Sequence, residues 1–295
     1  MSSIPKTVAS SSWPAPAELV SEIVADINAA PVDLLSTGAG AGERRYLEML
    51  GPHYVRTLGE LQGILAERCP RPPSELRVLE IGSFLGVICF ALRRVGFQVA
   101  AMDIPEFQSN PRLQERYRKA GIECVAANLK RHKLPFPDAH FDLVIMCETL
   151  EHLNFNPLPV IKEINRVTRQ GGLLYLTVPN QLSAANRLRV VTGRTIQVEI
   201  EQFYQQLDLK NNMIVGVHWR EYSKTDLYEL LEPMGFAIRQ HRFFQEDKTY
   251  RYKRLKFSLK DVLGEFFPSL RPVHVLLAEK VAEDSHQFCE TDALS

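Results

Sequence analysis

The chain has 295 residues and a mass of 33.5 kDa, enough for one large domain or two small ones. Hydrophobic residues at 45% and charged residues at 24% match an ordinary globular composition and exclude wholesale disorder. Thirty-five Lys and Arg balance 35 Asp and Glu, which excludes a whole-chain polycation built to coat nucleic acid.

Residues 1–16 are rich in Ser, Pro and small side chains and read as a mobile tail. The spacing of Leu19, Ile23 and Ile27 predicts a short amphipathic helix over 17–30, closed by Pro31. After a break carrying Gly38, Gly40 and Gly42, residues 43–68 hold Tyr46, Leu47, Leu50, Tyr54, Leu58, Leu61 and Leu65. That spacing predicts one or two further helices, ended by Pro70, Pro72 and Pro73, so 17–73 forms a helical extension.

The rhythm then changes. Short apolar runs at 77–82, 98–103, 122–128, 141–147 and 171–179 predict strands, and helical patterns fill 86–95, 111–120 and 159–168 between them. Near-continuous apolar strands joined through ten-residue helices make a parallel sheet covered on both faces, with its binding sites at the carboxyl ends of the strands. The stretch 181–217 is polar with isolated hydrophobics and too long for an ordinary connection. A helix at 224–234 and strand-like runs at 236–244 and 273–281 close the domain. The division expected is therefore a core over 74–180, an acceptor-side insertion or lid over 181–222, the rest of the core over 223–283, and a loose tail over 284–295.

No apolar run approaches the roughly 20 residues of a membrane span, and no signal-peptide core precedes Trp13. Cys69, Cys89, Cys124, Cys147 and Cys289 are odd in number and contain no C-x-x-C pair, which suits a reducing compartment rather than a disulfide framework. The expected location is the cytoplasm.

Two features define a nucleoside cradle. Glu80-Ile-Gly82-Ser83-Phe84-Leu85-Gly86 ends a strand in Gly and turns directly into a helix, so a ligand can approach bare backbone at the helix N-terminus. Asp103 ends the next strand, 21 residues after Gly82, where a carboxylate can accept both hydroxyls of a ribose. A dinucleotide site wants G-x-G-x-x-G. Phe84 stands where the central Gly would be and crowds a pyrophosphate, which makes NAD the poorer fit.

The series of residues 77–86, Asp103, Asn128-Leu129, Leu134-Pro-Phe-Pro-Asp138 with Phe141-Asp-Leu-Val144, Leu150-Glu151-His152-Leu153 and Arg166-Val-Thr-Arg-Gln-Gly-Gly172 resembles the class I S-adenosylmethionine-dependent methyltransferases. It is most similar to the broad branch that includes small-molecule and quinone O-methyltransferases, and it covers about residues 75–240. The resemblance implies an α/β fold, a Rossmann-like, doubly wound, mostly parallel seven-stranded sheet, here with N-terminal helices and an inserted lid. It implies S-adenosyl-L-methionine as cofactor. The Gly-rich loop (Gly82, Ser83, Phe84 and Gly86) forms the cofactor cradle, with Glu80 and Gly82 at the methionine end and Asp103 at the ribose. Ile104, Asn128 and Leu129 lie around the adenine, and Cys147 near the sulfonium. Phe84 departs from the family's usual D/E-x-G-x-G-x-G and alters the expected loop path.

An oxygen acceptor must lose a proton, so a base or a metal belongs near the end of the fourth strand. Glu148, Glu151 and His152 follow that strand at i, i+3 and i+4, which one helical turn would bring to a shared face, and His218 beyond the insertion can supply a fourth group. Two carboxylates and two imidazoles suit Mg²⁺, Mn²⁺ or Zn²⁺. E-x-x-E-H plus a later His resembles the metal-dependent branch of ubiquinone-pathway O-methyltransferases and small-RNA 2′-O-methyltransferases. The alternative is metal-free, with the Glu capping a helix and His152 acting as base or acceptor contact.

From Arg239 to Lys260 eight basic residues face two acids, with Tyr250, Tyr252 and Phe257 interleaved. Segment 250–260 can meet a phosphate-bearing acceptor, RNA or an anionic membrane surface, or form a solvated face. The activity expected is O-methylation of a small molecule or glycan. Its rivals are a metal-dependent 2′-O-methyltransferase on RNA, an N-methyltransferase, an inactive cofactor-binding partner subunit and, last, an NAD oxidoreductase.

Overall fold

The computed structural model describes residues 13–34, 40–131, 133–207, 217–245 and 259–284. Helix α1 (Pro16–Ala29) buries Leu19, Val20, Ile23 and Ile27, the face its spacing predicts. Helix α2 (Ala41–Arg68) runs unbroken for 28 residues with Pro52 in its interior. A proline there forfeits one backbone hydrogen bond. The apolar residues on either side of it, Leu47 and then Leu58, Leu61 and Leu65, are buried and hold the two halves to one core. Trp13, expected in a mobile tail, packs edge-on against Phe97 at 5.6 Å, and the rest of that tail, residues 1–12, lies outside the described residues.

The core then alternates as strand β1 (Arg77–Ile81), helix α3 (Val87–Val95), strand β2 (Gln98–Asp103), helices α4 (Pro105–Gln108) and α5 (Pro111–Ala120), strand β3 (Glu123–Ala126), strand β4 (Phe141–Cys147), helix α6 (Leu158–Val167) and strand β5 (Thr168–Pro179). Helices α7 (Ala184–Val191) and α8 (Ile200–Leu207) lie in the insertion. Helix α9 (Lys224–Leu231), strand β6 (Phe236–Phe244), helix α10 (Leu259–Phe266) and strand β7 (Val273–Lys280) complete the chain. The seven strands form one sheet in the order β3-β2-β1-β4-β5-β7-β6. The first five are mutually parallel, and β7 runs antiparallel to both of its neighbours.

Two apolar cores sandwich the sheet. On one face α1, α2 and α3 pack over Val78, Leu143, Ile145, Tyr175, Val275 and Leu277. On the other, α6 and α9 pack over Leu79, Val144, Met146, Leu174, Leu176 and Leu276. Alternate residues of each strand therefore serve opposite cores, which is why the strands read as continuous apolar runs. The sheet order reverses between β1 and β4, and the β1–α3 loop opens there, where ligands enter such folds.

Two expectations are corrected. Strand β3 stops at Ala126 rather than at residue 128, because Asn128 Oδ1 accepts the Lys130 N–H at 2.9 Å and starts a 3₁₀ turn. Strand β5 begins at Thr168, paired with Phe141 ahead of a register shift, three residues before the expected start at Gly171. The described residues of the insertion include helices α7 and α8. Ser183 caps α7, but Ala184 is its one buried residue, so no apolar stripe marked the helix in the sequence. The basic segment 250–260 lies outside the described residues except for the backbone at the start of α10. Among the described residues no helix is long and apolar enough to cross a membrane.

Candidate functional site

The β1–α3 loop is shaped by backbone that only small residues tolerate. Gly82 has φ +78°, and a Cβ there would overlap the Thr149 hydroxyl; Gly86 has the same φ, and its Cβ would overlap the Tyr117 hydroxyl. Both N–H groups at Gly82 and Ser83 donate to the Met102 carbonyl at 2.9 and 3.2 Å. Phe84 is itself left-handed at φ +43°, a strained state for an aromatic residue. Its N–H donates to Asp103 Oδ2 at 2.7 Å, while Asp103 Oδ1 takes the Ile104 N–H at 2.7 Å. The loop and the acid of the neighbouring strand are thus direct hydrogen-bond partners. Burial pushes the Asp103 carboxyl up to about 6 against the pull of these two donors.

Glu80 does its work beneath the loop. Its Oε2 accepts the Cys89 N–H at 3.0 Å and the Cys89 thiol at 2.8 Å, which ties the first turn of α3 to β1. Burial pushes this carboxyl up to about 8. Ser83 also faces inward: its hydroxyl accepts the Gln108 amide at 2.8 Å, and the Tyr117 hydroxyl lies 3.4 Å away. Ile104 and Cys147 are half-buried against the α2-side core, whereas Leu129 packs on the opposite core and Asn128 is exposed.

Strand β4 leads into the second cluster. Glu148 follows it with φ +47° and accepts the Thr177 hydroxyl at 2.9 Å. The positive φ breaks the chain direction, and the next turn, Leu150–His152, is 3₁₀ rather than α-helical. The predicted single helical face is therefore not formed. Glu151, His152 and His218 come together, with one ligand atom from each lying within 4.8 Å of the others, and Glu148 stands outside that trio.

The trio is chemically unusual. Glu151 is fully buried, and neither of its side-chain oxygens has a hydrogen-bond partner. Burial holds its carboxyl well above the usual range, with the nearby Glu148 charge acting the same way. The His152 Nδ1 lies 3.1 Å from the Val217 carbonyl. A carbonyl only accepts, so Nδ1 carries the proton and Nε2 keeps its lone pair. Nε2 lies 3.9 Å from Glu151 Oε1, and the His218 ring sits 5.0 Å from the His152 ring. Burial, and then His218, lower His152 to about 4, so it is a neutral base at pH 7.

Helix α2 contributes residues that the sequence reading did not assign to the site. The Tyr46 ring meets Phe84 edge-on at 4.9 Å, and Phe84 in turn meets Phe107 at 5.0 Å. Burial raises the Tyr46 phenol, and so do the carboxylates of Glu148, Glu151, Asp103 and Glu80 around it. Tyr54 packs against the same core and lies near Glu80 and Cys147. The helical spacing of these tyrosines predicted a buried face; it could not say that the face lies over the strand ends.

This loop, acid and sheet order define a Rossmann-like methyltransferase fold. A family model described as a methyltransferase domain matches residues 52–241. The chain is 34% identical over 128 residues to a ubiquinone biosynthesis O-methyltransferase of Xanthomonas campestris pv. campestris, covering 41% of this chain and 50% of that protein. It thus spans about half the length of the curated relatives it matches. The solved structure of a SAM-dependent methyltransferase from Methanosarcina mazei matches at 20% identity and a TM-score of 0.51, over 75% of this chain and 98% of that one. Another, an S-adenosylmethionine-dependent methyltransferase from Mesorhizobium loti, matches at 17% identity and 0.50, over 74% and 97%. At such identities the two structures speak for the fold. The chain belongs to the class I S-adenosylmethionine-dependent methyltransferases.

Proposed function

We propose that the protein transfers the methyl group of S-adenosyl-L-methionine to a hydroxyl oxygen of a small molecule, with a divalent cation held by Glu151, His152 and His218. The observation that carries this reading is the Glu151 carboxylate, fully buried and without a partner beside two imidazoles. A bare buried carboxylate is costly unless something positive meets it.

The residues present fit the cofactor. Gly82 and Gly86 keep side chains out of the loop, Asp103 sits at the next strand end for the ribose, and Ile104 and Leu129 supply apolar surface for the adenine. Cys147 and Tyr54 lie near Glu80. The bound cofactor supplies an activated methyl group on a sulfonium, and the bound cation would lower the pKa of the acceptor hydroxyl. The chain's own share is to align the acceptor and exclude water, while His152 Nε2, the nitrogen left with a lone pair, would hold the cation. Tyr46 meets the loop from α2 through Phe84, and Trp219 N–H donates to the Glu151 carbonyl beside the trio.

Labelled S-adenosylmethionine incubated with a fractionated host extract tests this reading. Labelled product should form, should vanish with EDTA and should return with Mg²⁺ or Mn²⁺. Glu151→Gln should cut the rate by roughly 100-fold or more and remove the cation dependence, the scale expected when a charge-stabilising group is lost. Chelator-indifferent transfer would leave His152 acting alone as base. Label on RNA 3′ ends, on a glycan or on an amine would move the acceptor to those rivals. Cofactor binding without any transfer would mark an inactive partner subunit.

A further inference from the structure

The stretch from Val217 to Tyr222, between the insertion and helix α9, touches every member of the trio. The Val217 carbonyl lies 3.1 Å from His152 Nδ1 and keeps the proton there. His218 belongs to the trio itself, and the Trp219 N–H donates to the Glu151 carbonyl at 2.8 Å. Tyr222 bridges to Asn180 just past β5, and its carbonyl accepts the Gln181 N–H at 3.1 Å. Glu221 lies in the same stretch but outside the trio.

The Glu221 side chain connects the insertion to His218. Its Oε1 lies 3.6 Å from His218 Nδ1, and its Oε2 accepts the Asn186 Nδ2–H at 2.6 Å. Asn186 sits on α7, and the same amide nitrogen donates to the Asn180 carbonyl at 3.3 Å. Both partners of that nitrogen only accept, which fixes the orientation of the amide. Helix α8 also reaches the stretch, with the Phe203 ring 5.2 Å from the Trp219 ring.

A neutral imidazole binds a cation only through the nitrogen that carries no proton. A carboxylate beside Nδ1 attracts the proton to that atom and leaves the lone pair on Nε2. We propose that Glu221, clamped by Asn186, is the positioning residue that holds the His218 proton on Nδ1 and readies Nε2 for the divalent cation, so that helix α7 is a working part of the cation site. This rests on the cation reading above, but the tautomer is a property of the chain alone.

Long-range ¹H–¹⁵N correlation spectra of the full chain at about pH 8, where imidazoles are neutral, read each histidine tautomer, and calorimetry with Mn²⁺ reads the site. Wild type should show the His218 proton on Nδ1. In Glu221→Gln the single amide oxygen is claimed by Asn186, which turns the new NH₂ toward His218 Nδ1. The proton should move to Nε2, and Mn²⁺ affinity should fall roughly 10–100-fold, the scale of losing the partner behind a ligating histidine. Adding Asn186→Asp reverses the dipoles, because a carboxylate at 186 takes the NH₂ and frees the amide oxygen for His218. The double variant should regain the Nδ1 proton and most of the affinity. A His218 proton on Nε2 in wild type overturns the proposal. So does a proton that stays on Nδ1 in Glu221→Gln, even where Mn²⁺ affinity falls, since Glu221 would then act as a ligand itself. The His152 tautomer should stay unchanged throughout; if Glu221→Gln disturbs it, the wild-type spectrum and the double variant decide. The predicted tautomers and their reversal in a chain that binds no Mn²⁺ would keep the clamp and sink the cation reading instead.

Discussion

At the carboxyl ends of β1 and β2 the polar side chains of the cradle are hydrogen-bonded within the protein, whereas several beyond β4 are not. In the first, Glu80 meets Cys89, Asp103 meets the N–H groups of Phe84 and Ile104, and Ser83 meets Gln108. Its hydrogen bonds are internal, and they fix the loop. In the second, both Glu151 oxygens, His53 Nδ1, Arg56 Nε and His241 Nδ1 are buried without partners. A satisfied network holds a shape for a ligand recognised largely through backbone, whereas unsatisfied groups await a ligand that brings its own charge.

That contrast can be broken most severely at Gly82. Gly82→Val places a β-branched side chain at φ +78° and against the Thr149 hydroxyl. It should destabilise the fold by about 3 kcal/mol or more and abolish cofactor binding, read by denaturant unfolding and calorimetry. A stable variant with unchanged affinity would show that the loop is not the cradle. Asp103→Ala should be milder. Cofactor affinity should fall by roughly 1.5–3 kcal/mol, the worth of hydrogen bonds to a charged group; an unchanged dissociation constant would misplace the ribose.

The smallest effect separates the two regions by pH. His241 and His274 share a 2.9 Å N···N hydrogen bond between β6 and β7, and His274 Nε2 donates to the Tyr222 carbonyl at 3.0 Å. Both are lowered to about 4, first by burial. Their folded values lie below the unfolded 6.5, so the stability they contribute is present above pH 6.5 and is lost as pH falls toward 4. We expect about 2 kcal/mol from the pair. Glu80 and Asp103 are shifted the other way, to about 8 and about 6, both chiefly by burial. Their contribution is present at acid pH and declines as pH rises through those values. A His274→Phe chain should therefore lose less stability on acidification than wild type, and Glu80→Gln should lose less between pH 5 and 8. Parallel pH profiles for both variants and wild type would erase the distinction between the two regions.

How much of this was legible in the sequence differs between the two regions for a physical reason. Gly82, Gly86 and Asp103 announce their roles because backbone conformation and strand ends are local properties, encoded within a few residues. Glu148, Glu151 and His152 looked equivalent on a helical turn, yet the positive φ of Glu148 separates it from the others, and His218 arrives from beyond the insertion. Helix α7 left no periodic trace because it buries a single residue. The direction of the Ser83 and Glu80 side chains, inward rather than toward ligand, was equally hidden, since a strand end does not reveal what packs behind it.

By itself the sequence determined the alternation of strands and helices, the glycine-lined turn and the acid that partners it, because these follow from side-chain period and local backbone freedom. Only the tertiary structure decided that α2 lies across the strand ends, bringing Tyr46 and Tyr54 to the site and Arg56 over Phe244, and that Glu151 stands bare beside two histidines. Those juxtapositions join residues up to 188 positions apart, as between Arg56 and Phe244. They are set by which faces pack together, a choice that hydrophobic periodicity permits but does not specify.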